Sequence, residues 1–299
     1  MRPVVSMWLP AALEWVGGVG VKFGLFGLHR GPGIAPDVLA RRAEAAEQAG
    51  FESLWVGDHI ALPADLTGSD EPRLEALAAL LYLAAVTSTV RLAAGVLVIP
   101  QRNPVLLAKQ LTSLDVLSEG RLILGVGVGH IEAELTALGV PMSERRSRTE
   151  DGLARMRDLW AGPRTGEDGA VDHGVVQFPT PVQDPHPPIV VGGHSQAALA
   201  RAARLGNGWF GWLTAPERTR ELIQHLEELV EVQPRPVMLG PLEITVAAPG
   251  EVTLDVVEVY EQVGVSRLVV GPDTAEGSEP DRFIEAFHRD VLGHVPSET

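Results

Sequence analysis

Eight short apolar segments, each followed by a stretch of helical pattern, set the limits on what this chain can fold into. The segments fall at 21–28, 52–57, 91–98, 121–128, 189–191, 208–211, within 236–246, and at 267–270. Between them the apolar residues recur at helical spacing over 36–49, 72–87, about 103–118, about 149–161, 196–205, 216–230, 254–262 and 280–292. Pro36 stands in the first turn of its helix and Gly50 just past the end. Asn103 and Pro104 supply an N-cap and a first helical residue. Short apolar strands separated by helices predict a parallel sheet. Eight such units fit a closed (β/α)8 TIM barrel better than an open doubly wound sheet. Residues 162–188 break the rhythm with six prolines, and 171–178 is the one part expected to form a small hairpin.

The fourth segment carries a second constraint. In Arg121–Ala137, RLILGVGVGHIEAELTA, a strand apolar on both faces runs into a helix, and Gly125, Gly127 and Gly129 alternate along it. One side of that strand therefore has no side chains. Two readings stand: another backbone passes close by, or a flat ligand lies against the strand.

Composition excludes several functions. The net charge of −15 argues against nucleic acid or an anionic membrane as the main partner. The chain has no cysteine, so disulfides, thiol nucleophiles and cysteine metal sites are excluded; the absence suits a cytoplasmic protein. Lys22 and Lys109 are the only lysines, which points to a high-GC bacterial genome. No run is long and apolar enough to span a membrane. Residues 1–20 are read as a loosely ordered extension, not a signal peptide, because Pro10 and Glu14 interrupt the apolar stretch; 21–299 is read as one barrel domain. No HExxH, Walker loop or GxSxG elbow occurs. No carboxylate pair falls at the strand ends, which disfavours a glycosidase.

In a barrel the chemistry gathers at the C-terminal ends of the strands. There the sequence places Asp58-His59, Gly95-Val96-Leu97, Gly127, Gly129 and His130, and Gly192-Gly193-His194-Ser195. His59 is either a proton donor or a space-filling side chain, and Asp58 either a ligand contact or a loop cap. Gly192–Ser195 is either a phosphate-binding turn at a helix N-terminus or a tight turn capped by Ser195. Arg145, Arg146 and Arg148 read as a solvated run pairing with Glu144, Glu150 and Asp151, or as contacts for an acidic ligand tail. Trp55 is expected in the core, and Trp209 and Trp212 at a pocket.

Three blocks, ESLWVGDHIALP, RLAAGVLVIPQRNPVLLAKQLTSLDVLSEGRLILGVGVG and PPIVVGGHSQAALARAARLGNGWF, together resemble the luciferase-like monooxygenase superfamily, and within it the branch dependent on coenzyme F420. The resemblance covers about 21–230, and its long middle block is the most specific part. It implies a (β/α)8 barrel with an insertion after the fourth strand and a flavin-like ring across the mouth. His59 matches the family histidine near the reactive centre, and Asp58 its neighbour. Gly95-Val96 matches a position where several members have a non-prolyl cis peptide, with Leu97 following. Gly127 to His130 matches the segment beside the ring or ribityl chain, and Gly192 to Ser195 the phosphate turn. Relatives often carry Trp, Glu or Tyr where this chain has His130. The resemblance implies an oxidoreductase moving a hydride between coenzyme F420 and a small organic substrate. The alternatives are an FMN-dependent monooxygenase using oxygen and a cofactor-binding barrel without turnover. A reductase supplying reduced cofactor and a second copy of the chain in a homodimer are the partners the resemblance implies; no metal is expected.

Overall fold

The computed structural model describes residues 20–162, 175–272 and 280–295. All but the last residue of the expected N-terminal extension and the first half of the expected 171–178 hairpin lie outside these residues; 175–178 forms no strand.

Among the described residues nine strands form one all-parallel sheet: β1 (Lys22–Phe26), β2 (Ser53–Val56), β3 (Arg91–Ala94), β4 (Leu97–Val98), β5 (Leu122–Gly127), β6 (Ile189–Gly192), β7 (Gly208–Gly211), β8 (Glu243–Ala247) and β9 (Arg267–Val270). β9 pairs with β1, and β3 pairs with β5 as well as β2, so the sheet closes on itself. β3 and β4 are two halves of one barrel strand, which makes the barrel eight-stranded. The helices are α1 (Pro36–Ala49), α2 (Ala76–Val86), α3 (Pro104–Leu117), α4 (Glu132–Ala137), α5 (Arg145–Trp160), α6 (Gln196–Leu205), α7 (Pro216–Val232), α8 (Leu254–Gln262) and α9 (Pro280–Asp290). The fold is a (β/α)8 TIM barrel, with α4, α5 and the 161–188 segment between the fourth and fifth barrel strands. Among the described residues no helix is long and apolar enough to cross a membrane.

Period-two alternation divides each strand between two cores. Outward residues such as Leu54, Leu92, Leu124, Val191 and Trp209 pack under the helices. Inward ones (Trp55, Ala93, Ile123, Val190, Phe210, Ala247 and Val269) fill the barrel. Trp55 and Phe210 stack there with centroids 5.2 Å apart and planes 9° apart. At the N-terminal end of the barrel Arg267, fully buried, donates to both oxygens of Glu52 and to Glu243 and Thr245.

The helix starts follow their caps. Asn103 accepts from the N–H groups of Val105 and Leu106, and Ser195 from Ala198. The helix expected from Pro72 begins only at Ala76, because Glu75 is its N-cap and accepts from Ala78. Residues before it run along the end of β1: the Pro72 carbonyl accepts from Gly31, and Leu74 donates to His29. The fifth helix instead starts one turn earlier than expected, at Arg145.

Candidate active site at the barrel mouth

The third barrel strand breaks where the resemblance placed a break. Gly95-Val96 is a cis peptide. From Ala93 to Leu97 is a step of four residues, while their partners Ile123 and Val126 are three apart, so one extra residue bulges from the strand. The glycine ladder receives that bulge. A Cβ on Gly125 would lie 1.9 Å from the Ala94 carbonyl oxygen; on Gly127 it would lie 2.6 Å from Val96 Cγ2, and on Gly192 2.8 Å from Val96 Cγ1. The close backbone approach is seen at Gly125; Gly127 faces the Val96 side chain and Gly129 the side chains of Val98 and Leu135. The result is a half-buried Val96 set among side-chain-free walls, above the Trp55–Phe210 stack.

At the end of β2 the Asp58–His59 pair divides. Asp58 is buried, accepts from the Val98 N–H at 2.8 Å, and holds both nitrogens of the Arg102 guanidinium at 2.6 and 2.7 Å. Its carboxylate is spent on tying the end of β2 to the end of β4. This corrects the expectation of a ligand contact: the structure gives Asp58 a positioning role. Burial opposes the charge of Arg102, but Asp58 and then Glu75 overcome it and hold the guanidinium more firmly protonated than usual.

His59 is half-buried, and its Nδ1 lies 3.3 Å from Glu134 Oε2. The other Glu134 oxygen accepts from the backbone N–H groups of Ile60 at 2.6 Å and Ala61 at 3.3 Å. Burial acts to raise the Glu134 carboxyl. The His59 and backbone donors prevail and hold it below the usual carboxylate range. An ionised Glu134 accepts a hydrogen bond from Nδ1–H, which leaves Nε2 as the atom that faces other groups. The His130 ring is exposed and sits 6.4 Å from that of His59.

Across the mouth, α6 opens from the Gly192–Ser195 turn. Ser195 caps it; among the described residues the N–H groups of Gln196 and Ala197 have no acceptor. His194 Nε2 accepts from the Trp212 N–H at 3.1 Å. Burial, followed by Arg218, pushes the His194 imidazole below its usual value, so it stays neutral and keeps that bond.

Leu97 is fully buried among the helix-facing residues, so only its backbone borders the mouth. Gly129 packs on Val98 and Leu135. Trp55 is core. Trp209 is also buried, and its Nε1–H braces the Gly193 carbonyl at 2.8 Å; it does not face a pocket. Trp212 does, at 39% exposure. Arg148 pairs with Glu144 as expected, but Glu150 pairs with Arg201 and Arg204 of α6. Sequence reasoning missed Glu134 and Arg102. They lie 75 and 44 residues from the groups they serve, and only Glu134 left a trace, as a charge in a helix next to a buried leucine.

The described residues hold no cluster of metal-ligating side chains. They do fit a flat, phosphate-bearing group: two unmet N–H donors at a helix N-terminus, glycine walls, and a lone imidazole nitrogen opposite.

Comparison with known proteins agrees with this geometry. The profile of the luciferase-like monooxygenase family matches residues 21–274. An uncharacterised protein of Mycobacterium tuberculosis is 32% identical over 279 residues, covering 85% of this chain and 94% of the relative. An F420-dependent glucose-6-phosphate dehydrogenase of Beutenbergia cavernae is 35% identical over 187 residues, 59% of this chain and 52% of the relative. The coenzyme F420-dependent tetrahydromethanopterin reductase of Methanopyrus kandleri superimposes with a TM-score of 0.73 at 17% identity, over 93% of this chain and all of that one, which speaks to the fold alone. With the profile covering nearly the whole barrel, this chain belongs to the luciferase-like monooxygenase family.

Proposed function

We propose that the protein is an oxidoreductase that moves a hydride between coenzyme F420 and a small organic substrate at the barrel mouth. The observation that carries this reading is the opposition of two features across Val96: the unmet N–H groups of Gln196 and Ala197, and the Glu134-oriented imidazole of His59. The relatives named for F420 dependence supply the choice of cofactor. When bound, the deazaflavin supplies the hydride chemistry. The chain does the rest. Gln196 and Ala197 hold a phosphate, assisted by the α6 dipole. Val96, Gly127 and Gly192 give a planar ring a surface without polar competition. His59 Nε2 holds or gives the proton that accompanies reaction at the substrate, and Glu134 keeps Nδ1 protonated and the ring in place.

Several further readings accompany it. A separate reductase renews the cofactor, and the protein works in the cytoplasm. Exposed Leu106, Val116 and Leu117 of α3, with Leu81 of α2 and Phe178, support pairing with a second copy of the chain.

The test is turnover with reduced coenzyme F420 under argon and under air, beside reduced FMN under air with an oxygen electrode. Deazaflavin oxidation by a substrate without oxygen uptake is the expected result. Oxygen uptake driven by FMN would move the protein to the monooxygenases of its family.

A further inference from the structure

A cavity of about 250 Å³ opens in the mouth on the side away from Val96, at the ends of β1, β7, β8 and β9. It is smaller than the roughly 300–1,000 Å³ usual for drug-sized ligands. Phe26, Trp212, Leu213, Pro249 and Val269 give it apolar walls, and among the described residues Arg30 is its only charged lining. Phe26 and Trp212 pack with centroids 4.8 Å apart. The Arg30 guanidinium lies 5.6 Å from the Phe26 ring centre and 3.6 Å from Glu71.

The cavity is built and not a gap in a loose loop. Leu213 holds a φ of 49°, a left-handed conformation costly for a leucine. Three hydrogen bonds impose it. Trp212 N–H donates to His194, Thr214 N–H to the Ala247 carbonyl, and the Tyr260 hydroxyl to the Thr214 carbonyl at 2.6 Å. The first of these joins the loop to the turn that opens α6. Phe26 in turn touches Gly57, two residues before His59: a Cβ on Gly57 would lie 3.3 Å from its ring. In the strand order, β2 with His59 stands between the Val96 surface and this cavity.

We propose that this cavity is the substrate pocket, and that it selects small, mostly hydrocarbon molecules with a flat portion and one acceptor group, a carbonyl or a carboxylate, and rejects sugar phosphates. The proposal rests on the oxidoreductase reading above. The flat portion lies against Trp212 and Phe26, and the oxygen accepts from Arg30. None of the described lining residues carries a hydroxyl or amide side chain, so the hydroxyls of a hexose phosphate would be stripped of water without replacement partners. The chain thus departs in substrate from the glucose-6-phosphate dehydrogenases it resembles in sequence.

The test uses the full chain without cofactor and saturation-transfer NMR with three probes: cyclohex-2-enone, benzoate and glucose 6-phosphate. We expect one or both ring compounds to bind, at least fivefold more weakly to Trp212→Ala, with Trp212→Phe restoring most of the affinity. Arg30→Leu should weaken whichever ring compound binds. Stronger binding of the enone assigns the oxygen to a neutral carbonyl, and stronger binding of the carboxylate assigns it to an anion; either supports the pocket. Tightest binding by glucose 6-phosphate, no binding by either ring compound, or binding unchanged in a folded Trp212→Ala protein overturns the proposal. A parallel titration with coenzyme F420 separates the two claims. Cofactor binding without probe binding removes only the pocket, and probe binding without cofactor binding removes only the oxidoreductase reading.

Discussion

Single side chains decide how the mouth works. His59→Ala should lower turnover about a hundredfold or more while the barrel stays folded, and steady-state kinetics with a circular-dichroism check would show it. Glu134 acts through His59, so Glu134→Gln should reduce kcat by about 10- to 100-fold with little change in cofactor affinity; an equal rise in KM would assign it to binding instead. His29 gives a signal independent of turnover. Burial, then Arg30 and Arg73, lowers its pKa from 6.5 to about 4. Between those values the unfolded chain binds a proton that the folded chain refuses, so stability falls as pH drops from 6.5 to 4. The full effect is on the order of 3 kcal/mol. Urea unfolding of wild type and His29→Gln at pH 7 and 4.5 should show a steeper acid loss in wild type; parallel losses would contradict the assignment. These partners were not legible in the sequence. Nothing local in HIEAELTA says that Glu134 reaches back to His59, since such pairs form only when the barrel brings distant strand ends together.

Elements were legible where their ends carry chemistry. α1, α6 and α8 begin at Pro36, Gln196 and Leu254 as expected, because caps and first-turn prolines act within a few residues. α2 begins four residues later than its apolar pattern suggests, because such a pattern does not reveal which residue turns the chain. The glycine ladder was visible at once, but its two explanations differ only in what lies opposite, which depends on strand pairing. The structure makes the ladder testable. Gly127→Ala places a methyl against the Val96 side chain, so overpacking should cost about 1–3 kcal/mol, and Val96→Ala in the same chain should recover much of it. Gly125→Ala meets the Ala94 backbone oxygen instead, and no side-chain change should rescue it. Denaturant unfolding of both pairs decides the matter; rescue of Gly125→Ala by Val96→Ala would show that the bulge is placed differently.

At the scale of the whole molecule, the barrel separates stability from chemistry along its axis. One end is closed by Arg267 between Glu52 and Glu243, where desolvation is overcome by the two carboxylates and the guanidinium is held more firmly protonated than usual. Arg267→Met should cost about 3–5 kcal/mol by leaving those carboxylates unpaired, measured by thermal unfolding, without altering cofactor affinity at the far end. The other end holds Val96, His59 and the α6 turn, and the account stands or falls on what binds there. The direct measurement is a fluorescence titration of the protein with coenzyme F420 and with FMN, in wild type and in Gln196→Pro. Proline is tolerated at the first position of a helix, and here it removes one of the two N–H groups assigned to the phosphate, together with the glutamine side chain. The account predicts micromolar binding of coenzyme F420, weaker binding of FMN, and about a tenfold loss of F420 affinity in the variant. Binding of neither cofactor, or an F420 affinity that Gln196→Pro leaves unchanged, would contradict it.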